Sequence, residues 1–349
     1  MNLLEEYKIQ SFLNKNFNFS ENRHSFLSIQ KNNSPFSEEE LSFIRKIKHL
    51  SGDMPKDYFE VVNKIKNQLN SLVGKLRPLY EIGLMFNIYL VGGSLRDLLL
   101  NNQEKIRDLD IVFDFSEHMK HNSQKLSEIS VFLLNKIFGE IISTQTEWEE
   151  LDIKQKSFLL VFHTLKNNYE IEKVHTLEEL KKKSSMKNES YSHLLNKELE
   201  AVVTLSPQES EYPMDILVIN SQIENYLSTF SFGICKVYLP VINMSTPQLI
   251  TSIYDFMSNI NISESFVKDA MRKKLTLKMY NYNSIELVEK ILSKHYEKIK
   301  YKYDEFQLYL DPGNNEEMKS FKKNYESFVF LKNNLPSKND IIVEKHIKI

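Results

Sequence analysis

The clearest hydrophobic pattern in the chain is an apolar run at residues 88–91, followed by a turn at 92–94 and a leucine-rich stretch at 95–100. The run is typical of a short buried strand, and the leucines predict a helix that begins at the serine of the turn. A second strand is predicted over residues 108–114, where Asp108 and Asp110 precede Ile, Val and Phe. This region therefore predicts a strand, a tight turn, a helix and another strand in quick succession.

Other stretches of the chain also show helical or strand periodicity. Helices are predicted over residues 2–16, 37–50, 55–85 and 125–137, with a capping box of Ser37 and Glu40 and a break near 74–78. Strands are predicted over residues 139–146, 156–164, 200–205 and 214–219. The charged segment 165–197 is interpreted as an insertion, and its lysines at 181–183 either contact a nucleic-acid backbone or face solvent.

After Pro240 the apolar residues recur every three or four positions, which predicts helices over 247–260, 263–279, 284–310 and 316–335. Residues 341–349 are interpreted as an edge strand. The expected fold class is α+β, with a small mixed sheet flanked by helices and an α-helical C-terminal region after it. The expected division is an N-terminal helical extension (1–54), a head domain (55–235), a helical domain (236–310) and a C-terminal helix and tail (311–349).

Composition narrows the class of protein without identifying it. The chain has 349 residues, of which 41% are hydrophobic, enough to fill the cores of two domains. Its net charge of −2 favours no particular partner, and its lysine, asparagine and isoleucine content is typical of an AT-rich viral or low-GC bacterial genome. No apolar run is long enough to span a membrane, and Cys235 alone cannot form an internal disulfide. We therefore expect a cytoplasmic protein.

The turn at 92–94 and the aspartates after it suggest a specific chemistry. Gly92 and Gly93 allow a phosphate to approach the backbone closely, and the start of a helix presents N–H groups to an anion. Asp108 and Asp110 lie two positions apart in a strand, so both carboxylates point to one face of the sheet. Mg²⁺ prefers oxygen ligands that it shares with substrate phosphates. The pattern therefore predicts a site for nucleotidyl transfer that uses two metal ions.

These motifs resemble those of a known family. The sequence Val-Gly-Gly-Ser-Leu-Arg-Asp-x-Leu-Leu at 91–100, with Asp108-x-Asp110, is similar to the head domain of the DNA polymerase β-like nucleotidyltransferases. The similarity is to the branch of tRNA CCA-adding enzymes and bacterial poly(A) polymerases. It implies transfer of a nucleoside monophosphate from an NTP to an acceptor hydroxyl, with the 3′ end of a tRNA-like RNA as the expected acceptor. It also implies Mg²⁺ as the cofactor, with Mn²⁺ as a substitute.

The resemblance also assigns roles to individual residues. Gly92, Gly93 and Ser94 are expected to hold the triphosphate, Arg96 and Arg107 to offset its charge, and Asp97 to orient Arg96 or the sugar. Sites of this family take a third carboxylate from a strand beside the Asp-x-Asp strand. We expect Asp215 in that place, as a metal ligand and a base toward the attacking hydroxyl, and Glu172 is the alternative.

Several features depart from the family pattern. The segment 227–235 lacks the aspartate that CCA-adding enzymes carry there, where this chain has Thr229 or Ser231. The base-reading motif Glu-Asp-x-x-Arg has only a partial counterpart in Asp269 and Arg272. His118 and His121 are interpreted as a loop or helix start rather than metal ligands. Tyr296, Tyr301 and Tyr303, which lie among lysines, either stack on single-stranded RNA or fill a core.

The departures leave three alternatives open. The head could transfer a nucleotide to a protein or a small molecule, as nucleotidyltransferase toxins and antibiotic-modifying enzymes do. It could also be an inactive head that binds nucleic acid or a partner, or a structural subunit of a larger assembly. The sequence leaves the preferred base, the number of nucleotides added and the oligomeric state open.

Overall fold

A computed structural model describes residues 36–49, 54–176, 199–207, 211–219, 221–242, 250–278, 297–311 and 341–343. Within them, the helices are α1 (Glu38–Ile47), α2 (Lys56–Lys75), α3 (Arg77–Glu81), α4 (Gly93–Leu99), α5 (Met119–Glu128), α6 (Val131–Phe138), α7 (Gln145–Glu150), α8 (Ile153–Lys166), α9 (Ile223–Ser228), α10 (Ile253–Ser258), α11 (Glu264–Arg272) and α12 (Glu297–Lys302). The strands are β1 (Asn87–Val91), β2 (Leu109–Asp114), β3 (Ile171–Thr176), β4 (Leu199–Leu205), β5 (Met214–Ile219), β6 (Val237–Ile242), β7 (Asn261–Ile262), β8 (Lys274–Lys278), β9 (Gln307–Asp311) and β10 (Ile341–Val343).

Seven strands form one mixed sheet in the order β3-β4-β5-β2-β1-β6-β7. Strands β2 and β5 run parallel, while the other neighbours in this sheet are antiparallel. Helices flank the sheet, so the α+β class and the mixed sheet of the head are confirmed. The central position of β1, β2 and β5 places the predicted turn and both predicted aspartate strands in the middle of the fold.

Side chains alternate between the two faces of the sheet along each strand, and the two faces are covered unequally. One face carries Leu90, Ile111 and Ile216 into a large apolar core shared with α2, α4 and α8. The opposite face carries Val112 and Leu217 into a smaller cluster, which α9 covers through Ile223, Tyr226 and Leu227. Asp110 and Asp215 lie two positions before Val112 and Leu217, so they belong to the thinly covered face.

Several predicted elements are confirmed at their ends. Helix α1 begins after Ser37, whose side chain accepts from the Glu40 backbone while the Glu40 side chain accepts from the Ser37 backbone. The predicted break in the long helical stretch is the boundary between α2 and α3. Strands β4 and β5 match the predicted segments 200–205 and 214–219 closely.

Three predictions for the head domain are wrong. The segment 156–164 is part of helix α8 and not a strand, and residues 139–146 form a turn and the start of α7. The stretch 125–137 is not one helix, because Ile129 and the N-cap Ser130 separate α5 from α6. The error at 156–164 arises because buried helices and buried strands can show the same short apolar pattern.

The expectation of an α-helical C-terminal region is also wrong for the described residues. Strands β6 and β7 continue the head sheet beyond the predicted boundary at residue 235. Strands β8, β9 and β10 form a separate parallel sheet in the order β10-β9-β8. The predicted helix 263–279 ends at Arg272, because Lys273 adopts a left-handed conformation with φ of 50° and β8 follows. The edge strand predicted in 341–349 is confirmed as β10.

Other predictions lie outside the described residues, namely the helices at 2–16 and 316–335 and the lysines at 181–183. In the described part of the chain, no helix is both long enough and apolar enough to cross a membrane.

Candidate active site

The turn between β1 and α4 adopts a backbone conformation that favours glycine. Gly92 has φ of 70° and ψ of −121°, a region that residues with a Cβ rarely enter. A Cβ at this position would lie 3.4 Å from Cε2 of Phe230. The Gly92 N–H donates to the carbonyl of Val237 at 3.1 Å, which attaches the turn to β6. The turn is therefore held by the sheet on one side and faces Phe230 on the other.

Two of the predicted carboxylates lie beside this turn. The register pairs Val91 of β1 with Asp110 of β2, and Asp110 in turn with Asp215 of β5. Oδ2 of Asp110 is 3.8 Å from the Cβ position of Gly92. Oδ1 of Asp215 accepts a hydrogen bond of 2.6 Å from Oγ1 of Thr204 on β4. The fold thus brings Gly92, Asp110 and Asp215 to one end of the central strands, although 105 positions separate the two aspartates in the sequence.

Asp108 and Arg107 lie just before β2. Asp108 is half-buried and Arg107 is exposed. Within the described residues, no three His, Cys, Asp or Glu side chains form a group that could hold a metal ion. Of the three predicted metal ligands, Asp110 and Asp215 are paired in the strand register, and Asp108 lies one residue before β2.

The alternative third carboxylate, Glu172, lies elsewhere on the sheet. It is on β3, which β4 and β5 separate from β2. Its side chain is 52% exposed and lies 3.8 Å from Nζ of Lys173. The strand order therefore favours Asp215 over Glu172 as the partner of Asp110.

Ser94 has the character expected of a ligand-binding hydroxyl. It is buried in the first turn of α4, and its Oγ has no hydrogen-bond partner among the described residues. A buried hydroxyl without a partner costs free energy unless a ligand or water satisfies it. The donor set therefore fits a nucleotide with its metal: Ser94 Oγ can donate to a phosphate oxygen, and the paired carboxylates supply the oxygen ligands that Mg²⁺ prefers.

Aromatic side chains border the carboxylates on the thinly covered face. Tyr226 of α9 is buried, and burial together with the charge of Asp110 raises its pKa well above the usual range. Its hydroxyl has no partner among the described residues. The ring of Phe230 meets Tyr226 edge-on at a centroid distance of 5.3 Å. These rings form an apolar wall next to Asp110 and Gly92, which the sequence analysis did not single out.

Arg96 and Asp97 are buried beneath the turn and do not face open solvent. Arg96 is 5% exposed and Asp97 is 1% exposed. Nη2 of Arg96 lies 2.6 Å from Oδ1 of Asp97 and 3.7 Å from the Cβ position of Gly93. The expected pairing of Asp97 with Arg96 is present, and the role of Arg96 toward a triphosphate stays a prediction. Its guanidinium lies close to Gly93 from the buried side of the turn.

The partial match to a base-reading motif has another explanation. Asp269 is buried, and its carboxylate accepts from the Thr276 hydroxyl at 2.5 Å and the Thr276 N–H at 3.2 Å. Oδ2 of Asp269 also lies 2.6 Å from the Cβ position of Gly233, so any larger residue at 233 would clash. Arg272 is exposed. Asp269 thus joins α11 to β8 and to the 233–235 turn.

Two further predictions can be compared with the structure. His118 ends a 3-10 turn and His121 lies at the start of α5, as expected for a helix start. Of the three tyrosines, Tyr303 is buried in the core and Tyr301 is 81% exposed, while Tyr296 lies outside the described residues. The core role is therefore confirmed for Tyr303, and stacking of Tyr301 on RNA stays a prediction.

Residues 88–201 match the family model described as the poly A polymerase head domain. This match confirms the resemblance of this segment to the head domain of poly(A) polymerases. The matched segment includes the turn, Asp108 and Asp110, and it ends before β5, so Asp215 lies outside it. No curated protein sequence matches the chain at a significant level.

Solved structures with a similar arrangement are only distantly related. An apo tRNA-processing enzyme has 13% identity and a TM-score of 0.36, over 81% of this chain and 50% of that one. An apo CCA-adding enzyme has 14% identity and a TM-score of 0.34, over 75% and 44%. A Thermotoga maritima CCA-adding enzyme complexed with tRNA has 14% identity and a TM-score of 0.34, over 82% and 46%. The chain spans about half the length of these proteins. The description of its fold rests on its own strand order.

Proposed function

We propose that this chain, which carries a poly A polymerase head domain at residues 88–201, transfers a nucleoside monophosphate from an NTP to a hydroxyl at the 3′ end of an RNA. The observation that supports this proposal most strongly is the register of the central strands. Asp110 and Asp215 are direct neighbours, and both lie at the end of the sheet where β1 enters the glycine turn. A carboxylate pair beside an anion-binding turn suits metal-assisted phosphoryl transfer better than it suits a purely structural role.

The triphosphate is bound by the turn. The backbone N–H groups of Gly93 and Ser94, together with Ser94 Oγ, donate hydrogen bonds to the β- and γ-phosphates. Arg96, fixed beneath Gly93 by Asp97, adds positive charge close to these phosphates. Arg107 lies just before β2 and is exposed, whereas Arg96 is buried. The turn thereby orients the α-phosphorus toward the carboxylates.

Asp108, Asp110 and Asp215 are the residues that would hold Mg²⁺, with Mn²⁺ as a substitute. When bound, two such ions activate the attacking hydroxyl and offset the charge that develops on the leaving pyrophosphate. The Asp215 carboxylate also accepts the proton of the attacking hydroxyl, and the hydrogen bond from Thr204 keeps it in one orientation. The apolar wall of Tyr226 and Phe230 excludes water from the side of Asp110.

RNA is the acceptor that the described surface favours. Tyr301 is 81% exposed on α12. An exposed aromatic ring is a platform on which an unpaired base can stack, and this recognition tolerates different sequences. Transfer to a protein or a small molecule would give a different result in the incorporation assay.

An incorporation assay tests the proposed function. The purified protein is incubated with Mg²⁺ and each of the four α-labelled NTPs, once with bulk tRNA and once with total cell protein. We expect label on RNA that is lost when EDTA removes the metal. Label on protein alone would redirect the acceptor, and no label in either reaction would contradict the proposed transfer.

A further inference from the structure

The side chain of Asp97 joins two parts of the chain that are distant in sequence. Its Oδ1 accepts from Nε of Arg96 at 2.8 Å and from the hydroxyl of Tyr303 at 2.7 Å. Its Oδ2 accepts from Nζ of Lys302. Asp97 is 1% exposed, and its two distant partners lie 205 and 206 positions away. One buried carboxylate thus holds the phosphate-binding helix α4 and the end of α12 together.

A reciprocal pair of hydrogen bonds strengthens this junction. Nζ of Lys302 donates to the backbone carbonyl of Lys105 at 2.8 Å, and Nζ of Lys105 donates to the backbone carbonyl of Lys302 at 2.7 Å. The Lys302 side chain is only 9% exposed. Lysine is rarely buried without partners, because desolvation of its charge is costly. Lys302 therefore occupies a specific, satisfied position and does not sample solvent as a surface lysine does.

The junction fixes the guanidinium of Arg96 directly under the turn. Asp97 holds Nε and Nη2, while Nη1 donates to Sγ of Cys235 at 3.3 Å. The ring of Tyr303 lies 5.5 Å from the Arg96 guanidinium carbon. Nη2 is 3.7 Å from the Cβ position of Gly93, which places the charge close to the backbone that would bind phosphate. The position of Arg96 thus depends on groups that α12 contributes.

We propose that Lys302 and Tyr303 are positioning residues for the triphosphate-binding turn, an inference that rests on the proposed function. By holding Asp97 they hold Arg96, and by holding Arg96 they keep its positive charge beside Gly93, where the phosphates would bind. Preorganisation of this kind improves affinity because the ordering cost has been met before the ligand arrives. The region after the head domain therefore completes the nucleotide site without touching the nucleotide.

Lys302→Met and Tyr303→Phe test this role. Lys302→Met keeps the apolar stem and removes the charge, whereas Tyr303→Phe keeps the ring and removes only the hydroxyl. We expect Lys302→Met to raise the Kd and KM for Mg·ATP about 10-fold with kcat changed less than about twofold, since about 1.4 kcal/mol of binding is lost. Tyr303→Phe should raise them about two- to fivefold, and Lys302→Arg should restore most of the loss.

The controls separate positioning from simple destabilisation. Lys154→Met removes a different and more exposed lysine ion pair, the 2.9 Å contact with Glu200 at another part of the head, and should leave the Kd for Mg·ATP unchanged. All measurements are made below the melting temperature of each variant, and Tyr303→Phe decides the matter if Lys302→Met does not fold. An active wild type whose Lys302→Met and Tyr303→Phe variants show lower melting temperatures and unchanged Kd would overturn the positioning role alone. A wild type that neither binds nor transfers nucleotide would overturn this inference and the proposed function together.

Discussion

Gly92 is the residue at which backbone conformation and site chemistry depend on each other most directly. Gly92→Ala would place a Cβ at a positive φ and 3.4 Å from Phe230. We expect the free energy of unfolding to fall by about 1–3 kcal/mol, the usual cost of such a strained conformation. Nucleotide affinity should fall as well, because the turn must shift to relieve the strain. Thermal or chemical denaturation and titration with Mg·ATP measure the two effects.

Gly74 provides the matched control for that substitution. It lies in helix α2, and a Cβ there would meet no atom within 4 Å. Gly74→Ala should therefore stabilise the protein by up to about 1 kcal/mol, because alanine has the higher helix propensity. If Gly92→Ala proved as stable as Gly74→Ala, the conformation described for the turn would be wrong.

Asp269 gives a pH dependence of stability. Burial raises the pKa of its carboxyl from the usual 3.8 to about 6, against the hydrogen bonds from Thr276, which lower it. Because the folded state binds this proton more tightly, the stabilising contribution is complete below about pH 4 and is lost as the pH rises through about 6. Asp269→Asn removes the titration. Relative to that variant, the wild type should lose on the order of 2–3 kcal/mol between pH 4 and 7, and parallel denaturation curves would contradict this.

At the residue scale, local signals in the sequence were sufficient to predict the glycine turn and the strand positions of the paired aspartates. Gly92 and Asp110 belong to one short motif, and Asp215 begins an otherwise apolar strand. The surroundings of Arg96 could not be predicted in the same way. The sequence predicted that Asp97 orients Arg96, but the further partners of Asp97 come from positions 302 and 303, and no local pattern reports such contacts.

At the scale of elements, apolar runs were the main source of error. The run at 156–164 is as apolar as a buried strand, yet it forms helix α8. The signal that could have corrected the prediction precedes the run: Asp152 and Gln155 form a capping box, with Asp152 accepting from the backbone of Lys154 and Gln155. In the C-terminal region, the alternation in 274–278 favours a strand, but the helical spacing of the residues before it extends the predicted helix to 279.

The cap of α8 can be tested independently of function. Asp152→Ala removes the acceptor for two backbone N–H groups, at 2.8 Å and 2.9 Å, and should lower the free energy of unfolding by about 1 kcal/mol. Asp152→Asn keeps an acceptor oxygen and should retain most of that stability. Urea denaturation of the two variants provides the comparison. Equal losses in both would show that the charge of Asp152, and not the cap geometry, is what matters.

At the scale of the whole molecule, strand order decides which carboxylates can act together. Asp110 and Glu172 are closer in sequence than Asp110 and Asp215, but β4 and β5 separate Glu172 from β2. The sequence favoured Asp215 and kept Glu172 as the alternative, because the order of strands in a sheet depends on long-range pairing that no local pattern reports. The parallel pairing of β2 with β5 places Asp215 beside Asp110, which supports the preferred candidate.

Contacts around the glycine turn also connect the two sheets of the molecule. The 233–235 turn meets Asp269 of α11, and the end of α12 meets Asp97 of α4. The two contacts meet near the glycine turn, where Nη1 of Arg96, which Asp97 holds, donates to Sγ of Cys235. The positioning role of Lys302 and Tyr303 is thus a property of the assembled fold, and a head domain cut at residue 235 would lack it.

The most direct test of the account compares carboxylates in the incorporation assay. Asp110→Ala, Asp215→Ala and Glu172→Ala are assayed with labelled NTP, Mg²⁺ and bulk tRNA, after circular dichroism has shown that each variant is folded. The account predicts that Asp110→Ala and Asp215→Ala lower incorporation at least about 100-fold, a loss of about 2.7 kcal/mol or more of transition-state stabilisation, while Glu172→Ala stays within about twofold of wild type. Retained incorporation in Asp215→Ala, or its loss in Glu172→Ala, would contradict the assignment of Asp110 and Asp215 as the catalytic pair.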